Sequence, residues 1–190
     1  MILVTERLLL REFVPGDWHA VFSYQLDPLY LRYYEWTVRT PEDVQEFVQG
    51  FIRQQQLRPR AKYQFAICSR ASGLLIGNGG IRLAKPDDMQ AEIGFELGPL
   101  HWGQGFATEA AQALIRFGFE DLHLHRIWAR CVADNSRSAN VLGKTGMRLE
   151  ARLRENETFK GRWWDTLVFG ILDLERQERL GSSRRGSEAG

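Results

Sequence analysis

Gly103-Gln104-Gly105-Phe106-Ala107, within the run HWGQGFATEAAQALIRFGF at 101–119, is a pair of alternating glycines that leads straight into a helical pattern. The first N–H groups of a helix lack intrahelical acceptors and sit at its positive end, so they hold phosphate oxygens well. Glycine and alanine leave little side chain to block a ligand's approach. Gly103, Gln104, Gly105, Ala107 and Thr108 are therefore expected to bind a phosphate mostly through main-chain amides, with the Thr108 hydroxyl as a cap. The alternative is a tight strand-to-helix turn that binds nothing.

Three kinds of phosphate fit such a loop: a nucleoside triphosphate, a dinucleotide, or the pyrophosphate of coenzyme A. A triphosphate loop needs G-x-x-x-x-G-K-[ST], and no such string occurs. The dinucleotide fingerprint G-x-G-x-x-G is nearly met by Gly103-x-Gly105-x-x-Thr108. Thr108, however, replaces the third glycine, and Pro99-Leu100-His101-Trp102 separates strand from glycines. Asp134 also lies well beyond the roughly 20-residue offset of a ribose-binding acid. Neither of these two fingerprints is met in full.

The flanking elements must position the loop. Leu8, Leu10 and Phe13 suggest a first strand, and Pro15-Gly16-Asp17 breaks it and caps a helix carrying Val21, Phe22 and Leu26. Thr40-Pro41-Glu42-Asp43 opens a second helix, with Val44, Phe47, Val48, Phe51 and Ile52 at helical spacing. From Lys62 the period changes to two through Tyr63, Phe65 and Ile67; Ala71-Ser72-Gly73 then turns the chain into Leu74 to Ile81. Glycines in that second strand suggest a bulge or close backbone approach. Ala91 to Leu97 forms another strand, the glycine loop and its helix follow, and Arg126 to Val132 is the next strand. A helix around Ser138 to Lys144 and strands at Arg148 to Leu153 and Trp164 to Leu172 complete the order. This is a single mixed α/β sheet, without the strict strand–helix alternation of a doubly wound fold.

At 190 residues, 44% hydrophobic and 26% charged, the chain suits one globular domain, placed here at 1–175 with a polar, flexible tail at 176–190. A net charge of +1 gives no reason to expect nucleic acid or an anionic membrane as partner. MILVTERLLLREF alternates with charges too soon for a signal peptide or membrane span, which points to the cytoplasm. Cys68 and Cys131 sit in apolar stretches and read as buried free thiols. His123 and His125 have no neighbours that would complete a metal site, so no metal is expected.

AEIGFELGPLHWGQGFATEA followed by ADNSRSANVLGKTGM resembles the acyl-CoA core of the GNAT N-acetyltransferases, nearest to the branch of ribosomal-protein and amino-terminal acetyltransferases. TERLLLREF and the closing WWD strand also resemble that branch, and the resemblance spans roughly residues 3 to 173. Trp102 stands where the wider family has arginine or glutamine. The resemblance implies the acyl-CoA N-acyltransferase fold: a mostly antiparallel sheet splayed between the fourth and fifth strands, flanked by helices. It implies transfer of acetyl from acetyl-CoA to a primary amine, on a protein N-terminus or a small molecule, by direct attack. The protein would act as a monomer or homodimer.

The same resemblance nominates the site. Phe95, Glu96 and Leu97 would offer main-chain donors to the thioester carbonyl and cofactor. Trp102 and Phe106 would join the glycine loop, while Asn135, Ser138, Asn140 and Lys144 would contact the cofactor further on. Turn formation, helix capping or plain surface charge are the alternatives for this last group, and for Arg137. Glu92 matches the family's general base, the alternative being an outward charge on a half-exposed strand. Glu96, of the same strand parity, is a second candidate. The tyrosine that protonates the leaving thiolate in many relatives is replaced by Leu142, leaving Ser138 as the available acid or as a simple cap. Cys131 could carry an acyl group or be a core thiol. Tyr33, Tyr34 and Trp36, with Glu92, would face the acceptor amine, or else pack a loop. A non-catalytic acyl-CoA-binding regulator and, further off, a dinucleotide oxidoreductase are the rival readings.

Overall fold

A computed structural model of the protein describes residues 1–179. Strands β1 (Ile2–Val4), β2 (Leu8–Arg11), β3 (Lys62–Ser69), β4 (Leu75–Leu83), β5 (Gln90–Leu97), β6 (Arg126–Val132), β7 (Arg148–Phe159) and β8 (Arg162–Leu172) form one sheet. Its spatial order is β1-β2-β3-β4-β5-β6-β8-β7. The helices are α1 (Trp18–Gln25), α2 (Pro28–Leu31), α3 (Pro41–Gln55), α4 (Phe106–Glu120) and α5 (Ser136–Lys144). Residues 173–179 are also helical, so the expected tail begins inside a helix, and 180–190 lie outside the described residues.

Local chemistry accounts for several boundaries. Thr40 Oγ1 accepts the Asp43 N–H at 3.2 Å while the Asp43 carboxylate accepts the Thr40 N–H at 2.9 Å, a reciprocal cap that starts α3. Asp17 behaves differently from expectation. Its side chain makes no cap to α1 and instead takes the Val14 N–H at 2.8 Å and pairs with Arg11 at 2.7 Å. A guanidinium within reach is a stronger partner than a helix amide.

Every neighbouring pair in the sheet is antiparallel except β5 and β6. Their parallel ladder joins Gln90 to Arg126, Ala91 to Ile127 and Glu92 to Trp128, and then stops. Beyond it β5 continues to Leu97 and β6 to Val132, so the two strands part. This is the expected splay, displaced by one in strand number because β1 precedes the first strand read from the sequence.

The core lies on both faces. Ala110, Ala111, Leu114 and Phe117 of α4 pack on Leu8, Leu10, Phe65, Ile67, Ile81 and Ile93. On the opposite face Val21, Val44 and Val48 of α1 and α3 meet Phe13, Ala66 and Cys68. The glycines of β4 serve close approach: a β-carbon on Gly77 would lie 2.2 Å from the Glu96 carbonyl oxygen. A register irregularity at Ile67/Cys68 lies opposite the same stretch.

Candidate active site

Alternation along β5 decides which groups face the splay. The Gly98 N–H donates to Ile76 O of β4 at 2.9 Å, so even-numbered amides of β5 turn toward β4. The amides of Phe95 and Leu97 therefore point the other way, into the gap where β6 has left. The Leu97 carbonyl points there too and accepts the Trp102 indole N–H at 2.8 Å, which ties the glycine loop to the rim of the gap. Arg137 lies over the Trp102 ring, 4.9 Å from its centre.

Gly103 and Gly105 adopt positive φ of 75° and 83°, conformations that favour glycine. Gly105 is the N-cap of α4, and no side chain, Thr108 included, caps that end. The Glu109 N–H reaches the Gly105 carbonyl at 3.1 Å, so the amides before it remain free of intrahelical partners. A β-carbon on Gly103 would meet nothing within 4 Å, so there is open space beside this glycine of the loop. Unclaimed amides, positive helix end and free volume together fit a diphosphate.

Sequence reasoning missed what holds this loop. The Glu109 carboxylate accepts hydrogen bonds from Thr5 Oγ1 at 2.6 Å, the Arg7 N–H at 2.8 Å and Arg7 Nε at 2.7 Å. Arg7 Nη1 also donates to the Gln104 carbonyl at 2.9 Å, and its guanidinium covers the Phe106 ring. Partial burial pushes the Glu109 carboxyl up, but bonds from Thr5 and Arg7 outweigh it and hold the group below its usual range. The only sequence signal was the pair of acid and base in T-E-R and A-T-E-A, 102 positions apart.

Even-numbered side chains of β5 occupy the face away from α4. Glu92 sits there at the last ladder pair, 3.3 Å from Arg130 and 3.9 Å from Arg82. Arg82 crosses β5 over Gly94, where a β-carbon would come within 2.6 Å of its guanidinium. Glu96 lies deeper and is saturated. Its Oε1 accepts Tyr24 at 2.8 Å, Gln25 at 3.1 Å and the Asn78 amide; its Oε2 accepts Tyr30 at 2.7 Å and Tyr34 at 3.0 Å. A carboxylate offers about four lone-pair sites, so none is left for a substrate proton. Of the two glutamates, only Glu92 retains that capacity. Burial, then the Glu96 charge, push the Tyr24, Tyr30 and Tyr34 hydroxyls well above the ordinary tyrosine value.

Tyr34 stacks between Tyr30 and Trp36, with ring centres 4.7 and 5.0 Å apart. Tyr34 thus belongs to the Glu96 network rather than to open surface. The Trp36 indole N–H is buried without a partner among the described residues. Tyr33 stands at the rim, its hydroxyl on the Asp134 carbonyl at 2.9 Å and its ring edge-on to Trp164.

At the second segment expected to meet the cofactor, Asn135 is the N-cap of α5 and its side chain accepts the Ser138 N–H at 3.2 Å. The Ser138 side chain, half-buried, has no partner among the described residues, while Asn140 and Lys144 are exposed. Leu142 is buried in the core. Burial pushes the Cys131 thiol up to about 11, so it stays protonated near neutral pH and is a poor acyl carrier. Among the described residues no group of three His, Cys, Asp or Glu could hold a metal ion, and no helix is long and apolar enough to cross a membrane.

This geometry has relatives. Residues 7–148 match the model of the acetyltransferase (GNAT) domain. The chain is 35% identical over 176 residues to the uncharacterized N-acetyltransferase YnaD of Bacillus subtilis (strain 168), covering 92% of this chain and 99% of that protein. It is 32% identical over 139 residues to the ribosomal-protein-serine acetyltransferase of Escherichia coli (strain K12), covering 73% and 75%. The crystal structure of a GNAT-family acetyltransferase from Bacillus anthracis superposes with a TM-score of 0.80 at 32% identity, covering 90% and 98%. With a splayed sheet, an uncapped glycine loop at its mouth and a family model matched over most of its length, the chain belongs to the GNAT family of acetyltransferases.

Proposed function

We propose that this chain moves the acetyl group of acetyl-CoA directly onto a primary amine in the gap between β5 and β6, the acceptor being a protein α-amine or a small amine. The observation that carries it is the early end of the β5–β6 ladder, which leaves the Phe95 and Leu97 amides without a ladder partner on the side of the uncapped end of α4. The amides of Gly103 to Thr108 would hold the diphosphate. A Phe95 or Leu97 N–H would take the thioester oxygen, where negative charge builds up during attack. The amine would enter from the face carrying Glu92 and Tyr33. Its nitrogen forms the new bond to the acyl carbon as the carbon–sulfur bond breaks, and its proton passes to Glu92, directly or through a water. The departing thiolate needs little help, since a free thiol titrates near about 8.5. The Ser138 hydroxyl, which has no partner among the described residues, would donate to it.

The similarity to a ribosomal-protein-serine acetyltransferase supports an α-amine acceptor. So does basicity: an α-amine near about 8 loses its proton far more readily than a lysine near about 10.4. The test is thiol release from acetyl-CoA across N-terminal peptides, polyamines and aminoglycosides. Turnover with N-terminal peptides is expected. Coenzyme A binding without turnover on any amine would instead favour a non-catalytic regulator. Glu92→Gln is expected to lower kcat by about 10²-fold, the usual scale for a general base, with the acetyl-CoA KM little changed. Undiminished turnover across the pH range would remove Glu92 from that role.

A further inference from the structure

We infer that Arg7 is a positioning residue for the phosphate-binding loop, fixing the Gln104–Gly105 peptide so that its N–H faces the cofactor. The inference rests on the proposed diphosphate site and adds a device that the glycine motif alone does not contain. In a trans peptide the C=O and N–H lie in one plane and point in opposite directions. Gly105, at φ 83°, could let that plane rotate, because glycine tolerates many backbone conformations. Arg7 Nη1 removes the freedom by holding the Gln104 carbonyl at 2.9 Å. With the carbonyl drawn toward Arg7, the Gly105 N–H is turned to the opposite side.

Arg7 is itself braced. Its Nε and main-chain N–H both bind the Glu109 carboxylate, at 2.7 and 2.8 Å. Thr5 Oγ1 adds a third bond to that carboxylate at 2.6 Å and accepts the Leu8 N–H at 2.9 Å, which anchors the clamp to the start of β2. Glu109 lies in the first turn of α4. An unneutralised carboxylate there would repel a diphosphate seated on the same helix end, and Arg7 supplies the opposing charge. The forked guanidinium binds carbonyl and carboxylate at once, which a single ammonium on a flexible stem cannot reproduce.

The test compares coenzyme A with pantetheine, which lacks the diphosphate, by fluorescence titration using Trp102 in the loop. Wild type, Arg7→Ala, Arg7→Lys and Arg7→Ala/Glu109→Gln are compared, with melting curves for each. Arg7→Ala is expected to weaken coenzyme A about tenfold or more while pantetheine affinity stays within about twofold. Arg7→Lys should recover only part of the loss, and the double variant should bind better than Arg7→Ala by relieving the repulsion. Equal losses for both ligands would assign Arg7 a general structural role and overturn the inference, as would unchanged coenzyme A affinity. Wild type that binds neither ligand would defeat the proposed diphosphate site itself, a distinct failure.

Discussion

Gly105→Ala is expected to weaken acetyl-CoA binding by tenfold or more in a chain that still folds. At φ 83° an alanine pays about 1–2 kcal/mol for the left-handed conformation. Its β-carbon would also lie 3.2 Å from Arg7 Nη2, so either the arginine or the loop must shift. Both responses move the amides proposed to receive the diphosphate. Gly73→Ala supplies a matched control. It has φ 71°, nothing within 4 Å of its would-be β-carbon, and a place in the β3–β4 turn far in sequence from the loop. The two variants should lose similar stability, while only Gly105→Ala loses affinity for coenzyme A. Calorimetry for affinity and melting curves for stability separate the two effects. Equal affinities would mean that the loop does not carry the ligand.

The second large effect is expected at Glu96. Glu96→Ala strands the donors of Tyr24, Gln25, Tyr30, Tyr34 and Asn78, which converge on one carboxylate from α1, α2, the segment after α2, and β4. Removing one member of a buried charged network typically costs about 3–5 kcal/mol. For a chain of this size that corresponds to roughly 10 °C in Tm. The wild-type network also has a signature in alkali. Burial and the Glu96 charge raise the three tyrosine hydroxyls in the folded state, so the folded chain keeps protons that the unfolded chain releases. Their contribution is intact below about pH 10 and declines above it, by up to about 4 kcal/mol per pH unit for three such groups. Absorbance should show these tyrosines ionising together with unfolding. Independent titration in the native state, or a Glu96→Ala protein as stable as wild type, would contradict the network's role.

Features written in neighbouring residues were legible. The Thr40–Asp43 capping box and the alternation of Tyr63, Phe65 and Ile67 each declare an element within a few positions. The turn of the glycine loop was legible for the same reason, since glycine spacing reports the left-handed residues at which the chain bends into α4. Elements lacking a periodic signal were missed. Strand β1 has three residues, and α2 is a single turn capped by Asp27. Strand β7 was expected to end at Leu153 but reaches Phe159, because its outward-facing residues show no apolar alternation and its pairing with β8 carries it on. The placement of β8 between β6 and β7 depends on sheet assembly rather than on any local pattern.

Within the site, residues acting through distant partners could not be assigned from sequence. Glu96 shared strand parity with Glu92, and only the fold reveals that one carboxylate is enclosed by tyrosines while the other lies between arginines. Thr5, Arg7 and Glu109 acquire meaning only when the chain's beginning is brought against α4.

The measurement that bears most directly on the central claim is a calorimetric titration of coenzyme A, and separately acetyl-CoA, into the folded wild-type chain. Saturable binding at one site per chain is expected, weakened by Gly105→Ala and preserved by Gly73→Ala. Absence of any heat at millimolar ligand, from protein whose melting curve shows it folded, would contradict the claim that the amides at Gly103 to Thr108 receive the diphosphate.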